Sequence, residues 1–126
     1  MAGENALPIQ ECPDNICENI TWSGAIAEDV AAGYFFYCER DTIVDSVVAI
    51  VDTADANLTV DVLKGAGGTS VMTGVITTAV VDTAYLGTMS TTENWVTAGT
   101  TLHLTFANVD TATGALVQAR IRTRIR

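Results

Sequence analysis

The residues able to do chemistry are few. His103 is the only histidine, and in Thr101-Leu-His-Leu-Thr-Phe106 strand alternation puts it beside Thr101 and Thr105 on a polar face. A general base needs a nucleophile and an orienting partner converging on it. No motif supplies either, so no enzyme is expected. Cys12, Cys17 and Cys38 form an odd set; Cys12 and Cys17 flank a Pro-Asp-Asn turn that could bring them to disulfide distance. An odd count in an unsecreted chain makes free thiols the expectation. A zinc site needs a fourth ligand and usually two paired motifs. Asp52-Thr-Ala-Asp55-Ala-Asn57 offers oxygens without the order of a calcium loop, and reads as a solvated turn. Lys64-Gly-Ala-Gly-Gly-Thr69 lacks the Gly-Lys-Ser/Thr ending of a phosphate loop and reads as a hairpin connection. No metal and no cofactor is expected. Trp22, Trp95 and Tyr85 could stack on sugar rings if exposed, but their spacing does not place them on one platform, and Trp more often anchors a core or an interface.

The most pronounced feature is the ending Arg120-Ile-Arg-Thr-Arg-Ile-Arg126. On a strand, Arg120, Arg122, Arg124 and Arg126 project from one face, about 6.8 Å apart. Val117, Ala119, Ile121 and Ile125 share the other. Four guanidinium groups in a row repel one another, so carboxylates should lie opposite. Those carboxylates can belong to a neighbouring chain, making the ladder an inter-chain clamp; otherwise the ladder is a solvated edge that deters aggregation. The rest of the chain is acidic: residues 1–119 hold all 15 acids against Arg40 and Lys64, and the net charge is −9. Such a body repels phosphates, which excludes nucleic acid as an expected partner.

Positioning these residues falls to strands. Val, Ile and Thr make up a third of the 126 residues, while Leu, Met and Lys are scarce. These are strand formers, not helix formers. Hydrophobic residues reach 48 % with 17 % charged, a surplus that suggests burial against partners. Strands are expected near 22–29, 33–39, 42–52, 57–64, 69–76, 80–88, 100–107 and 115–125. Leu58, Val60 and Val62 alternate with Thr59 and Asp61; Leu102, Leu104 and Phe106 alternate with Thr101, His103 and Thr105. Tyr34-Phe35-Phe36-Tyr37-Cys38 and Val47-Val48-Ala49-Ile50-Val51 are apolar on both faces, and should be covered by the core and by a neighbouring subunit. Val-Asp-Thr-Ala recurs at 51–54, 81–84 and 109–112, steps too irregular for a solenoid. Each copy reads as a strand end where Asp and Thr bond nearby amides and start a turn.

The expected fold class is all-β: an antiparallel β-sandwich of jelly-roll type, with an immunoglobulin-type sandwich as the alternative. Residues 1–20 are expected to form an extended N-terminal arm, and 21–126 a single domain. The start, Met-Ala-Gly-Glu-Asn-Ala, has an acid where a signal peptide has basic residues. No apolar run approaches a membrane span. Synthesis in a host cytoplasm and no membrane partner are the expectation.

Residues 57–74, Asn-Leu-Thr-Val-Asp-Val-Leu-Lys-Gly-Ala-Gly-Gly-Thr-Ser-Val-Met-Thr-Gly, resemble small β-sandwich structural proteins of tailed bacteriophages. So do Thr97-Ala-Gly-Thr-Thr-Leu-His-Leu-Thr-Phe106 and the final arginine strand. The resemblance spans residues 42–126, with Thr100 where those proteins have Asp after Ala-Gly. It implies a capsid decoration, or cement, protein on the outer capsid surface of a virion, commonly a homotrimer, with the major capsid protein as partner. Leu7, Ile9, Ile16 and Ile20 of the arm, Tyr34, Phe36 and the four arginines are then the expected subunit or capsid contacts. A host-recognition or carbohydrate-binding module of a fibre or tail is the alternative.

Overall fold

The computed structural model describes residues 15–26, 31–78 and 80–124. Nine strands run in chain order: β1 (Asn15–Ala25), β2 (Ala31–Tyr37), β3 (Thr42–Val51), β4 (Asp55–Lys64), β5 (Ile76–Thr78), β6 (Tyr85–Leu86), β7 (Trp95–Val96), β8 (Thr101–Ala107) and β9 (Gly114–Arg124). They form two antiparallel sheets, β1-β9-β3-β6 with β7 also on β3, and β2-β8-β4-β5. The pairings nest: β1 with β9, β2 with β8, β3 with β6, β4 with β5. The ladder so formed doubles over, adding the β3/β9 and β4/β8 pairings.

The sheets face each other across one core. Val44, Val47 and Val51 of β3, Val117, Ala119 and Ile121 of β9, Val60 and Val62 of β4, and Leu102, Leu104 and Phe106 of β8 are buried together. Trp22 of the first sheet meets Phe106 of the second at 5.2 Å between ring centroids. The alternation read at 58–62 and 102–106 therefore holds, because branched side chains on one face of each strand fill the gap between sheets.

Two expected strands fail for local reasons. The run 69–76 is mostly loop, pinned by isolated bridges at Ser70 and Met72. Ser70 donates its hydroxyl to Asp61 and accepts the Met72 N–H, which competes with ladder pairing. The run 80–88 keeps only β6, since Asp82 takes a left-handed φ of 52° and breaks the extended run. Trp95–Val96 is too short to show alternation in the sequence. The arm boundary placed at residue 20 falls inside β1, whose residues 15–20 are in register with β9; the arm's earlier residues lie outside the described ones. Thr100 does not cap its own turn. The carboxylate of Asp41 accepts the Ala98 N–H at 3.0 Å instead.

Where the chain crosses between sheets, at 52–54 and 108–113, one side chain holds both corners. Asp55 is 2 % exposed. Its Oδ1 accepts the N–H groups of Asn57 and Leu58, and its Oδ2 accepts those of Asp110, Thr111 and Ala112, at 2.8 to 3.2 Å. The segment read as a solvated turn is thus a buried lock. Beside it, Asp52 accepts the N–H and hydroxyl of Thr113, and the Asp82 N–H reaches the Val51 carbonyl. All three Val-Asp-Thr-Ala copies meet at this end of the sandwich, bonding across corners rather than only within their own turns.

Two predictions follow from the lock. In Asp55→Asn the amide nitrogen cannot accept, so at least two buried N–H groups lose their partner; at about 1–3 kcal/mol each, urea unfolding should show a loss of about 3–5 kcal/mol. Burial raises the Asp55 carboxyl, but the N–H donors of Asp110, Ala112, Asn57 and Leu58 outweigh it and hold it below the usual carboxylate value. A depressed folded value stabilises above the unfolded one, about 3.9, and that stability is lost as pH falls through the folded value. The urea midpoint should therefore be flat between about pH 7 and 5 and drop below about pH 4, with a smaller drop in Asp55→Asn.

Candidate interaction face on the first sheet

The arginine ladder lies on β9, the strand between β1 and β3. It is not on an edge, so the solvated-edge reading fails. Inward residues Ala115, Val117, Ala119 and Ile121 are buried, while Gln118 and Arg120 are exposed. Arg122 already has a carboxylate, and it belongs to the same chain: Nε and Nη2 donate to Asp45 at 2.8 and 3.0 Å. A bulge makes this possible. Val44 pairs with Ile121 and Ser46 with Arg120, leaving Asp45 as the extra residue; Val44 and Val47 both turn inward, and Asp45 turns out. Arg120 makes no ion pair among the described residues. The ladder is thus partly satisfied within the chain, with Arg120 left open.

Register places the neighbours of Arg120. One row runs Trp95, Ile43, Arg122, Cys17; the next Ser46, Arg120, Asn19; the next Leu86, Val48, Gln118, Thr21. Trp95 is 52 % exposed and Leu86 72 %. Both lie across β3 from Arg120, one row to either side, so the three share one outer face, and Trp and Arg are enriched in interface hot spots.

Of the other expected contacts, Ile20 and Phe36 pack on the core, and Tyr34 is exposed on the second sheet. Ile16 lies in β1 and Arg124 in β9, whereas Leu7, Ile9 and Arg126 lie outside the described residues. Among the described residues, Arg120 and Tyr34 lie on different sheets. Trp95 and Leu86, absent from the sequence-derived set, sit in two-residue strands with no pattern to reveal their faces. Trp22 and Tyr85 pack on the core, so the three aromatics considered for sugar stacking make no shared platform.

His103 meets Tyr34 edge-on at 5.2 Å, and no group of three or more metal-ligating side chains occurs among the described residues. Cys38 is a buried free thiol, pushed up by burial. Cys17 is disulfide-bonded, which corrects the expectation of free thiols at that position.

Neither a protein-family model nor a curated protein matches the chain. Among solved structures, a chain of the cyanophage Pam1 capsid asymmetric unit is similar at 19% identity and a TM-score of 0.60, over 88% of this chain and 86% of that one. A chain of the Bacillus endospore appendages, a family of disulfide-linked pili, is similar at 16% identity and a TM-score of 0.54, over 89% of each. At these identities the likeness is one of fold: this chain shares its two-sheet architecture with a subunit of a phage capsid and a subunit of a bacterial pilus.

Proposed function

We propose that this chain is a structural virion protein, a bacteriophage capsid decoration or cement protein, which binds the outer capsid surface and stabilises contacts between major capsid subunits. It acts by binding alone. The observation that carries this reading is Arg120, a guanidinium with no ion pair among the described residues, on the same outer face as exposed Trp95 and Leu86, which lie beyond β3. A guanidinium without an intrachain partner is complemented by a carboxylate on a partner surface. The size of the Pam1 match supports it: nearly equal shares of both chains are covered, so the matched capsid chain is another small sandwich. The nested pairing of first strand with last and second with next-to-last supports the jelly-roll assignment. The homotrimer and the contact role of the arm, residues 1–20 with Leu7, Ile9, Ile16 and Ile20, belong to the same proposal.

A second reading is a subunit of a surface appendage. The Cys17 disulfide, which lies within the one chain, favours it because disulfides persist outside a reducing cytoplasm. Location separates the two: electron microscopy finds a decoration protein on the capsid shell and an appendage subunit along a filament.

The face itself is tested by releasing the protein from purified particles in a salt series. Truncating one partner of a desolvated charge pair costs about 2–5 kcal/mol, against under about 1 for an exposed pair. Arg120→Gln and Trp95→Ala should each leave the fold intact and release at clearly lower salt. Release at the wild-type concentration in both variants contradicts the proposal.

A further inference from the structure

The second sheet carries a different surface. In β2 the sequence Tyr34-Phe35-Phe36-Tyr37 reads as apolar on both faces, yet Phe35 and Phe36 both pack on the core, and Tyr34 and Tyr37 are 79% and 56% exposed. The cause is a bulge between Tyr34 and Phe36. Three residues apart, the two tyrosines would point to opposite faces of a regular strand; the extra residue returns them to one. Their partners on β8 are His103 and Thr101, which share a face, so the tyrosines stand about 6.8 Å apart along the strand direction. A second irregularity, at Gly33 with φ of 84°, precedes them. Bulges that re-aim side chains recur beside functional sites.

We infer that Tyr34 and Tyr37, with His103 and Thr101 beside them, form a binding platform for an uncharged glycan. Aromatic rings receive the C–H face of a pyranose and present a phenolic hydroxyl to its rim. The surroundings are rich in hydroxyls: Thr101, Thr105 and Thr59 share the outer face with them by register, with Leu63 opposite His103. Thr105 and Thr59 direct their hydroxyls to backbone carbonyls, keeping lone pairs to accept sugar hydroxyls. Charge selects further. Asp61, the acid on this face, is occupied by Ser70 and the Val62 N–H. Lys64, at the end of β4, is drawn away to Glu93 at 2.7 Å. Among the described residues of β2, β4, β5 and β8, Lys64 is the one lysine or arginine, and the chain's net −9 opposes a phosphate, sulfate or carboxylate polymer. The Tyr34 ring is held by its edge contact with His103 at 5.2 Å, so little freedom is lost on binding. This inference does not rest on the capsid reading and lies on the opposite sheet from Arg120.

Titration calorimetry of the full chain with cellohexaose, xylohexaose, mannohexaose and laminarihexaose tests it, with a polygalacturonate hexamer as the charged control. At least one neutral hexasaccharide should bind, and the charged one more weakly. Tyr34→Ala and Tyr37→Ala should each weaken binding about tenfold or more, while Tyr34→Phe, which keeps the ring, should bind within about threefold of wild type. Because both side chains are exposed, thermal unfolding should barely move, which separates loss of binding from loss of fold. Absence of binding to all four, or binding indifferent to both alanine variants, overturns the inference. So does dissociation of an oligomer by those variants without any glycan effect, which would make the face a contact between copies.

Discussion

The buried carboxylate of Asp55 is the constraint on which the architecture depends. A nested ladder folded over itself must send the chain from one sheet to the other at its corners, where backbone N–H groups leave the ladders and water is excluded from the core side. Five such groups, from residues 57–58 and 110–112, end on one side chain. A charged acceptor is suited to this because each N–H bond to an ionised oxygen is stronger than one to a neutral oxygen. The lock also fixes where β4 and β9 begin. Since β9 carries the arginines, the register that sets Arg122 against Asp45 and leaves Arg120 open is anchored at the same corner.

Bulges then decide what each sheet presents outward. On β3 the extra residue is Asp45, which turns a simple alternation into a carboxylate held against Arg122. On β2 the extra residue lets two phenylalanines enter the core while two tyrosines leave it. In both, the core keeps its apolar side chains and the surface gains a chemical group that strict period-two alternation would have hidden. The outer faces consequently differ, one with a guanidinium among apolar anchors, the other with phenols among hydroxyls.

Strands with strict alternation were legible in the sequence. The runs at 58–62, 102–106 and 117–121 are buried on the faces their spacing predicts, and the sandwich follows from them. What stayed hidden were the features that break periodicity. Tyr34-Phe35-Phe36-Tyr37 suggests a strand covered on both sides, because a bulge leaves no mark in composition. Asp55 resembles any solvated turn residue, since its distant donors at 110–112 become neighbours only through the fold. Trp95 and Leu86 lie in strands of two residues, below the length at which a period exists. The arginine ladder was found by its spacing, but its intrachain partner was not, because Asp45 reaches it only as a bulge residue.

The two-sheet fold is shared with a chain of a phage capsid and a chain of a bacterial pilus. Our account gives the two outer faces separate roles, with the arginine face turned toward a carboxylate-bearing partner. High-resolution electron microscopy of the virions proposed to carry this chain tests that orientation most directly. The account predicts sandwich-shaped density on the outer shell with Arg120, Trp95 and Leu86 buried against capsid subunits or a neighbouring copy. Density in which that face is open to solvent, or the chain's location in a filament or tail with the face uncovered, would contradict it.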